Sequence, residues 1–202
     1  MTCLLAVEKD GTIFYAGDRC ESSGYLRHEL AHAKWIAHRD WRIGVAGPSR
    51  LGTLMTVNAS WRDALPHASE AQTSDVFRFA QAIKGAIDAE GGWANGDEKP
   101  PTYRLGFIVA GPVGLFIIRS AFDVFEVPIG HLAAVGVGDE ITIGAWYAMA
   151  AIETGKTHRP TKEKLRICLE VAAARVSGIS PPFDFGEIPT IHDDRRRRIF
   201  HS

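Results

Sequence analysis

A chain of 202 residues is long enough to bury one sizeable core, and 46% hydrophobic with 23% charged residues is an ordinary globular balance. A net charge of -1 gives no global field for nucleic acid. No apolar run approaches the roughly 18 residues of a membrane span, and no basic stretch leads into an apolar core at the N-terminus, so neither membrane nor secretion is expected. Cys3, Cys20 and Cys168 lack C-x-x-C spacing and read as reduced, buried thiols of a cytoplasmic protein. The four arginines at 195–198 read as a solvated basic tail.

Residues 2–8 read as a strand around the apolar run Leu4 to Val7, the pair Asp10-Gly11 as a tight turn, and 12–17 as the returning strand. Residues 33–37 and 41–46 suggest a second strand pair, closed by Gly47-Pro48. Two helices follow, at 49–65 and 74–89, the second with Ser74 as its expected N-cap. Residues 91–101 read as a polar surface loop. Strands are expected at 103–110, 115–119, 124–127 and 133–137, then helices at 139–153 and 162–176. A tail over 183–202 has weak strand character. No repeat and no long linker appears, so one domain over 1–202 is expected. Two sheets that each need a covering helix pair suggest an α+β, four-layer αββα sandwich, two antiparallel sheets between helix pairs.

Two stretches carry chemistry. His28-Glu29-x-x-His32 has the spacing by which one helix face grips zinc while the glutamate activates water, and His38 falls near the position of a third ligand. Trp35 stands where the three-histidine form needs a turning glycine, and the surroundings read as strand, so zinc hydrolysis is the weakest of three readings.

The other stretch is the N-terminus. Thr2 is small enough for Met1 to be removed, which would expose an α-amine beside a hydroxyl. An α-amine with a pKa of about 7.7–8.0 can accept the hydroxyl proton as the oxygen attacks a carbonyl. A lysine nearby would favour the neutral amine, a carboxylate would hold that lysine, and backbone N–H groups would bind the oxyanion. Asp18, Lys34 and Gly47 are candidates for these parts.

The opening TCLLAVEKDGTIFYAGDR, the stretch RIGVAGPSR and the stretch FIVAGPVGLFIIRSAFDVFEVPIGHLAAVGVGD resemble the proteasome β-type and HslV-like N-terminal nucleophile (Ntn) hydrolases, including bacterial proteasome homologues. Asp18 lies 16 residues after Thr2 and Lys34 lies 32 after it, as in that family. The resemblance implies an Ntn αββα fold and a threonine endopeptidase. In it Thr2 is the nucleophile, Lys34 tunes it, Asp18 holds Lys34, and Gly47 binds the oxyanion. Val45 lines an apolar pocket for the residue before the scissile bond. It implies no cofactor, a polypeptide substrate, self-association into stacked rings, and room for an ATP-dependent unfoldase as partner. Two departures stand out: Val137 where active members carry serine, and Ala174 where they carry aspartate. Both favour the alternative of a non-proteolytic ring with a decayed site.

Overall fold

The computed structural model describes residues 2–23, 26–30, 33–90, 105–153 and 158–191. Met1, His32, the loop expected at 91–101, the start of the strand expected at 103 and the arginines at 195–198 lie outside the described residues.

The chain opens with the hairpin β1 (Cys3–Lys9) and β2 (Thr12–Asp18). Asp10 and Gly11 both take positive φ, 51° and 74°, the turn whose twist matches antiparallel strands. A small hairpin, β3 (Cys20–Ser23) with β4 (Leu26–Glu29), follows. Then come β5 (Trp35–His38), β6 (Trp41–Ala46), α1 (Ser49–Val57) and α2 (Thr73–Ala89). The second half supplies β7 (Gly106–Gly111), β8 (Gly114–Ile118), β9 (Val124–Glu126), β10 (Leu132–Gly136), α3 (Asp139–Ile152), α4 (Thr161–Arg175) and β11 (Phe183–Pro189).

Two antiparallel sheets result, in the orders β10-β1-β2-β11 and β5-β6-β7-β8-β9. Strand alternation sorts the apolar side chains into three layers. From β1, Cys3, Leu5 and Val7 pack with Leu165, Cys168 and Leu169 of α4. Leu4 and Ala6, on the opposite face, meet Ile108, Ala110 and Leu115 between the sheets. Phe107 and Val109 of β7 face outward again, onto Phe79 and Ile83 of α2. The order is therefore helices, sheet, sheet, helices, the αββα sandwich expected from the pattern.

Three local expectations change. The helix expected over 49–65 ends at Val57, because the Asn58 side chain accepts from the Ser60 N–H and hydroxyl and draws the chain into a turn. Trp61 still reaches the core, from a loop, with its Nε1 donating to the Met55 carbonyl. Helix α2 is capped by Gln72, not Ser74, in a reciprocal box with Asp75. The first part of the expected tail is a full sheet member: β11 pairs along all of β2, from Phe183 opposite Asp18 to Pro189 opposite Thr12.

Candidate active site

The end of β2 and the start of β1 meet at one corner of the sandwich. Asp18 is the last residue of β2 and is 0% exposed. Its Oδ1 accepts from the Cys3 N–H at 2.7 Å, which fixes the chain beside Thr2. Its Oδ2 accepts from the Cys20 N–H at 3.1 Å and from Lys34 Nζ at 2.9 Å. Burial pushes the Asp18 carboxyl above the ordinary carboxylate range, while Lys34 and the N–H donors pull it back.

Lys34 comes from the other sheet. It precedes β5, and its carbonyl accepts from the Val45 N–H at 3.1 Å, extending the β5–β6 ladder by one bond. The ammonium crosses to the end of β2, where it binds Asp18, and also binds the carbonyl of Cys20, the first residue of β3, at 2.5 Å. Its side chain is 8% exposed, so the pair is buried but opens at one end.

Thr2 sits against the turn after β10. Its carbonyl accepts from the Val137 N–H at 2.9 Å. Gly136, at φ 107°, makes that approach possible, because a Cβ there would fall 2.0 Å from the Thr2 carbonyl oxygen. Val137 itself is 51% exposed, and Ala174 lies exposed in the last turn of α4. Beneath, Cys3 is sealed among apolar groups, and burial pushes its thiol up to about 12.

A cavity of about 600 Å³ opens at this corner, and Thr2, Lys34, Val45 and Gly47 all line it. Asp18 stands behind Lys34. Gly47 follows β6 and leads through Pro48 into α1, whose Thr53 and Thr56 also face the cavity. The opposite face of α1 buries Leu51, Leu54 and Met55 in the outer core. Thus a hydroxyl-bearing residue, a held ammonium and an exposed glycine backbone share one solvent-reachable space.

Two further residues, Glu21 and Ser49, line the cavity without any sequence motif to mark them. The Ser49 hydroxyl donates to the Glu21 carboxylate. Glu21 belongs to the β3–β4 hairpin, whose short polar strands carry no alternation to read. Ser49 could have been found as the first residue of a helix whose positions 49, 52, 53 and 56 share a face.

The zinc reading loses its helix. His28 and Glu29 stand in strand β4, so the chain there is not the helix that zinc-ligand spacing requires, and His32 lies outside the described residues. The His38 ring is engaged elsewhere: Nε2 lies 3.0 Å from the Arg62 carbonyl and the ring meets Trp61 edge-on. Among the described residues no group of three His, Cys, Asp or Glu side chains is disposed to hold a metal ion.

No protein-family model matches the sequence, and no curated protein does. Solved structures do match. Thiobacillus denitrificans BPH superposes with a TM-score of 0.74 at 20% identity, covering 96% of this chain and 100% of that one. The fold is that of the proteasome β-type, HslV-like Ntn hydrolases. The same Thiobacillus protein in complex with epoxomicin gives a TM-score of 0.73 at 19% identity, covering 93% and 98% of the two chains. HslV from Trypanosoma brucei gives 0.71 at 16% identity, over 93% and 99%. Among the described residues no helix is long and apolar enough to cross a membrane.

Proposed function

We propose that this chain is an N-terminal threonine peptidase of the proteasome β type, acting once Met1 has been removed. The observation that carries the reading is the convergence of Thr2, Lys34 and Gly47 on one cavity, with Lys34 held by a buried Asp18 at 2.9 Å. In this reading the Thr2 α-amine accepts the proton of Oγ1 as the oxygen adds to a peptide carbonyl. The Gly47 N–H stabilises the oxyanion. The tetrahedral species collapses by breaking the C–N bond, and the proton passes to the leaving amine, which departs as the new N-terminus. Water then adds to the Thr2 ester, and the acid product leaves with Oγ1 protonated again. The Lys34 charge disfavours protonation of the nearby amine and so keeps it basic near neutral pH.

The likeness to HslV supports self-association into stacked rings with the sites facing an inner chamber, and an ATP-dependent unfoldase as the class of partner such a chamber admits. A cytoplasmic location and a single domain over 1–202 fit the same reading. A second reading, a non-proteolytic ring of this fold, is favoured by one observation: the turn touching the Thr2 backbone carries the apolar Val137 side chain instead of a hydroxyl. Peptide hydrolysis separates the two. The peptidase reading expects turnover by the full chain that Thr2→Ala abolishes. Turnover unchanged by Thr2→Ala would refute it, and no turnover by the folded, assembled chain would favour the second reading.

A further inference from the structure

The cavity beside Thr2 is lined mainly by apolar and hydroxyl groups, including Ile36, Val45, Thr53 and Val57. It also holds two charged side chains, Lys34 and Glu21. The two are not equivalent. The Lys34 ammonium already has an anionic partner, Asp18 at 2.9 Å, and is held at the wall by it and by the Cys20 carbonyl. The Glu21 carboxylate accepts from the neutral Ser49 hydroxyl, and among the described residues no lysine or arginine forms an ion pair with it. Among the described side chains the cavity therefore presents apolar walls and one carboxylate with no lysine or arginine paired to it.

We propose that Glu21 makes this a subsite for a cationic side chain, so that the preferred substrates carry lysine or arginine where the cavity receives a residue next to the scissile bond. The proposal rests on the threonine-peptidase reading for its link to catalysis. A lysine or arginine stem lies along apolar surface while its head seeks a carboxylate, which is the combination these walls supply. A volume of about 600 Å³ accommodates the longest side chains. Val45 alone predicts an apolar preference; Glu21 changes the sign of the choice. Ser49 has a supporting part, because its hydroxyl leaves the carboxylate capacity for further donors.

The test compares peptides that differ only at that residue, as arginine, lysine or leucine, with the intact protein and with Glu21→Gln. Wild-type kcat/KM should favour arginine and lysine over leucine by about 10-fold or more, the scale of a hydrogen bond to a charged group, and Glu21→Gln should erase that ratio. Melting temperature reports whether the variant is folded. In parallel, product peptides ending in arginine or leucine are titrated calorimetrically into Thr2→Ala, a measurement that needs no turnover. Tighter binding of the arginine peptide, lost when Glu21→Gln is added, supports the subsite even where no peptide is cleaved, an outcome that refutes only the threonine chemistry. Equal treatment of arginine and leucine in both measurements, or a basic preference that survives Glu21→Gln, overturns the subsite and leaves the threonine reading standing.

Discussion

Two buried lysine–carboxylate pairs in this chain have similar exposure and very different neighbours. Lys34 and Asp18 are 8% and 0% exposed, and Lys164 and Glu153 are 9% and 6% exposed. The first pair crosses from one sheet to the other and opens on a cavity that also holds Thr2. The second ties the end of α3 to α4 and is closed by protein groups. His158 Nδ1 lies 3.3 Å from Glu153, the Arg159 N–H donates to it at 3.2 Å, and Lys164 Nζ sits 5.4 Å over the Trp146 ring. Their titrations diverge as well. Burial raises Asp18, whereas the Lys164 hydrogen bond holds Glu153 below the ordinary range. A buried ion pair is thus a structural device by itself, and it becomes a candidate for chemistry when a hydroxyl-bearing residue and an open space share its surroundings.

The sharpest way to break this comparison is to remove one lysine at a time. Lys34→Met should leave Asp18 as a buried, unpaired carboxylate, lowering unfolding free energy by about 3–5 kcal/mol in denaturant titrations. Peptide turnover per folded molecule should fall by about 10²-fold or more, as expected when proton transfer at the nucleophile loses its tuning group. Lys164→Met should lower the melting temperature but leave turnover per folded molecule near wild type. Equal losses of turnover in the two variants would erase the distinction.

Acid should separate the pairs next. Because the Asp18 pKa is raised in the folded state, the folded chain takes up this proton before the unfolded chain does. That group then adds stability as pH falls, while Lys34 loses its anionic partner. The Glu153 pKa is lowered, so its contribution is present above the ordinary carboxylate range and is lost as pH falls toward the lowered value. Turnover should therefore drop at a higher pH than unfolding, when kcat/KM and circular dichroism are followed together. Coincident midpoints would contradict this.

The smallest effect is alkaline. Cys3, beneath Thr2, and Cys168 on α4 are both raised by burial from 9.0 to about 12. The unfolded thiols ionise first, so stability should begin to fall as pH rises above 9 and continue to fall toward 12. Thiol-reagent kinetics at neutral pH should show both residues reacting only as fast as the chain opens.

The sandwich was legible because its strands are strongly patterned. Leu4 and Ala6 alternate with Cys3, Leu5 and Val7, and Asp10-Gly11 names its own turn. Spacing within a resemblance, and no periodicity, singled out Thr2, Asp18 and Lys34, and the fold brings Thr2 and Lys34 to one cavity with Asp18 bonded to Lys34. What stayed hidden depended on contacts made at a distance. The β3–β4 hairpin is polar, the membership of β11 in the sheet follows from pairing with β2, and the charge of Glu21 acquires meaning only from the cavity and from Ser49. The HELAH spacing has meaning only on a helix, and its first two residues, His28 and Glu29, stand in a strand, as the strand-like surroundings suggested.

The most direct test of the central claim, that Thr2 becomes a reactive N-terminal nucleophile, is the mass of the purified full chain before and after treatment with epoxomicin. The account predicts loss of Met1, one inhibitor adduct mapped by tandem spectrometry to Thr2, and no adduct on Thr2→Ala. A folded chain that retains Met1, or one that loses it and stays unmodified, would contradict it.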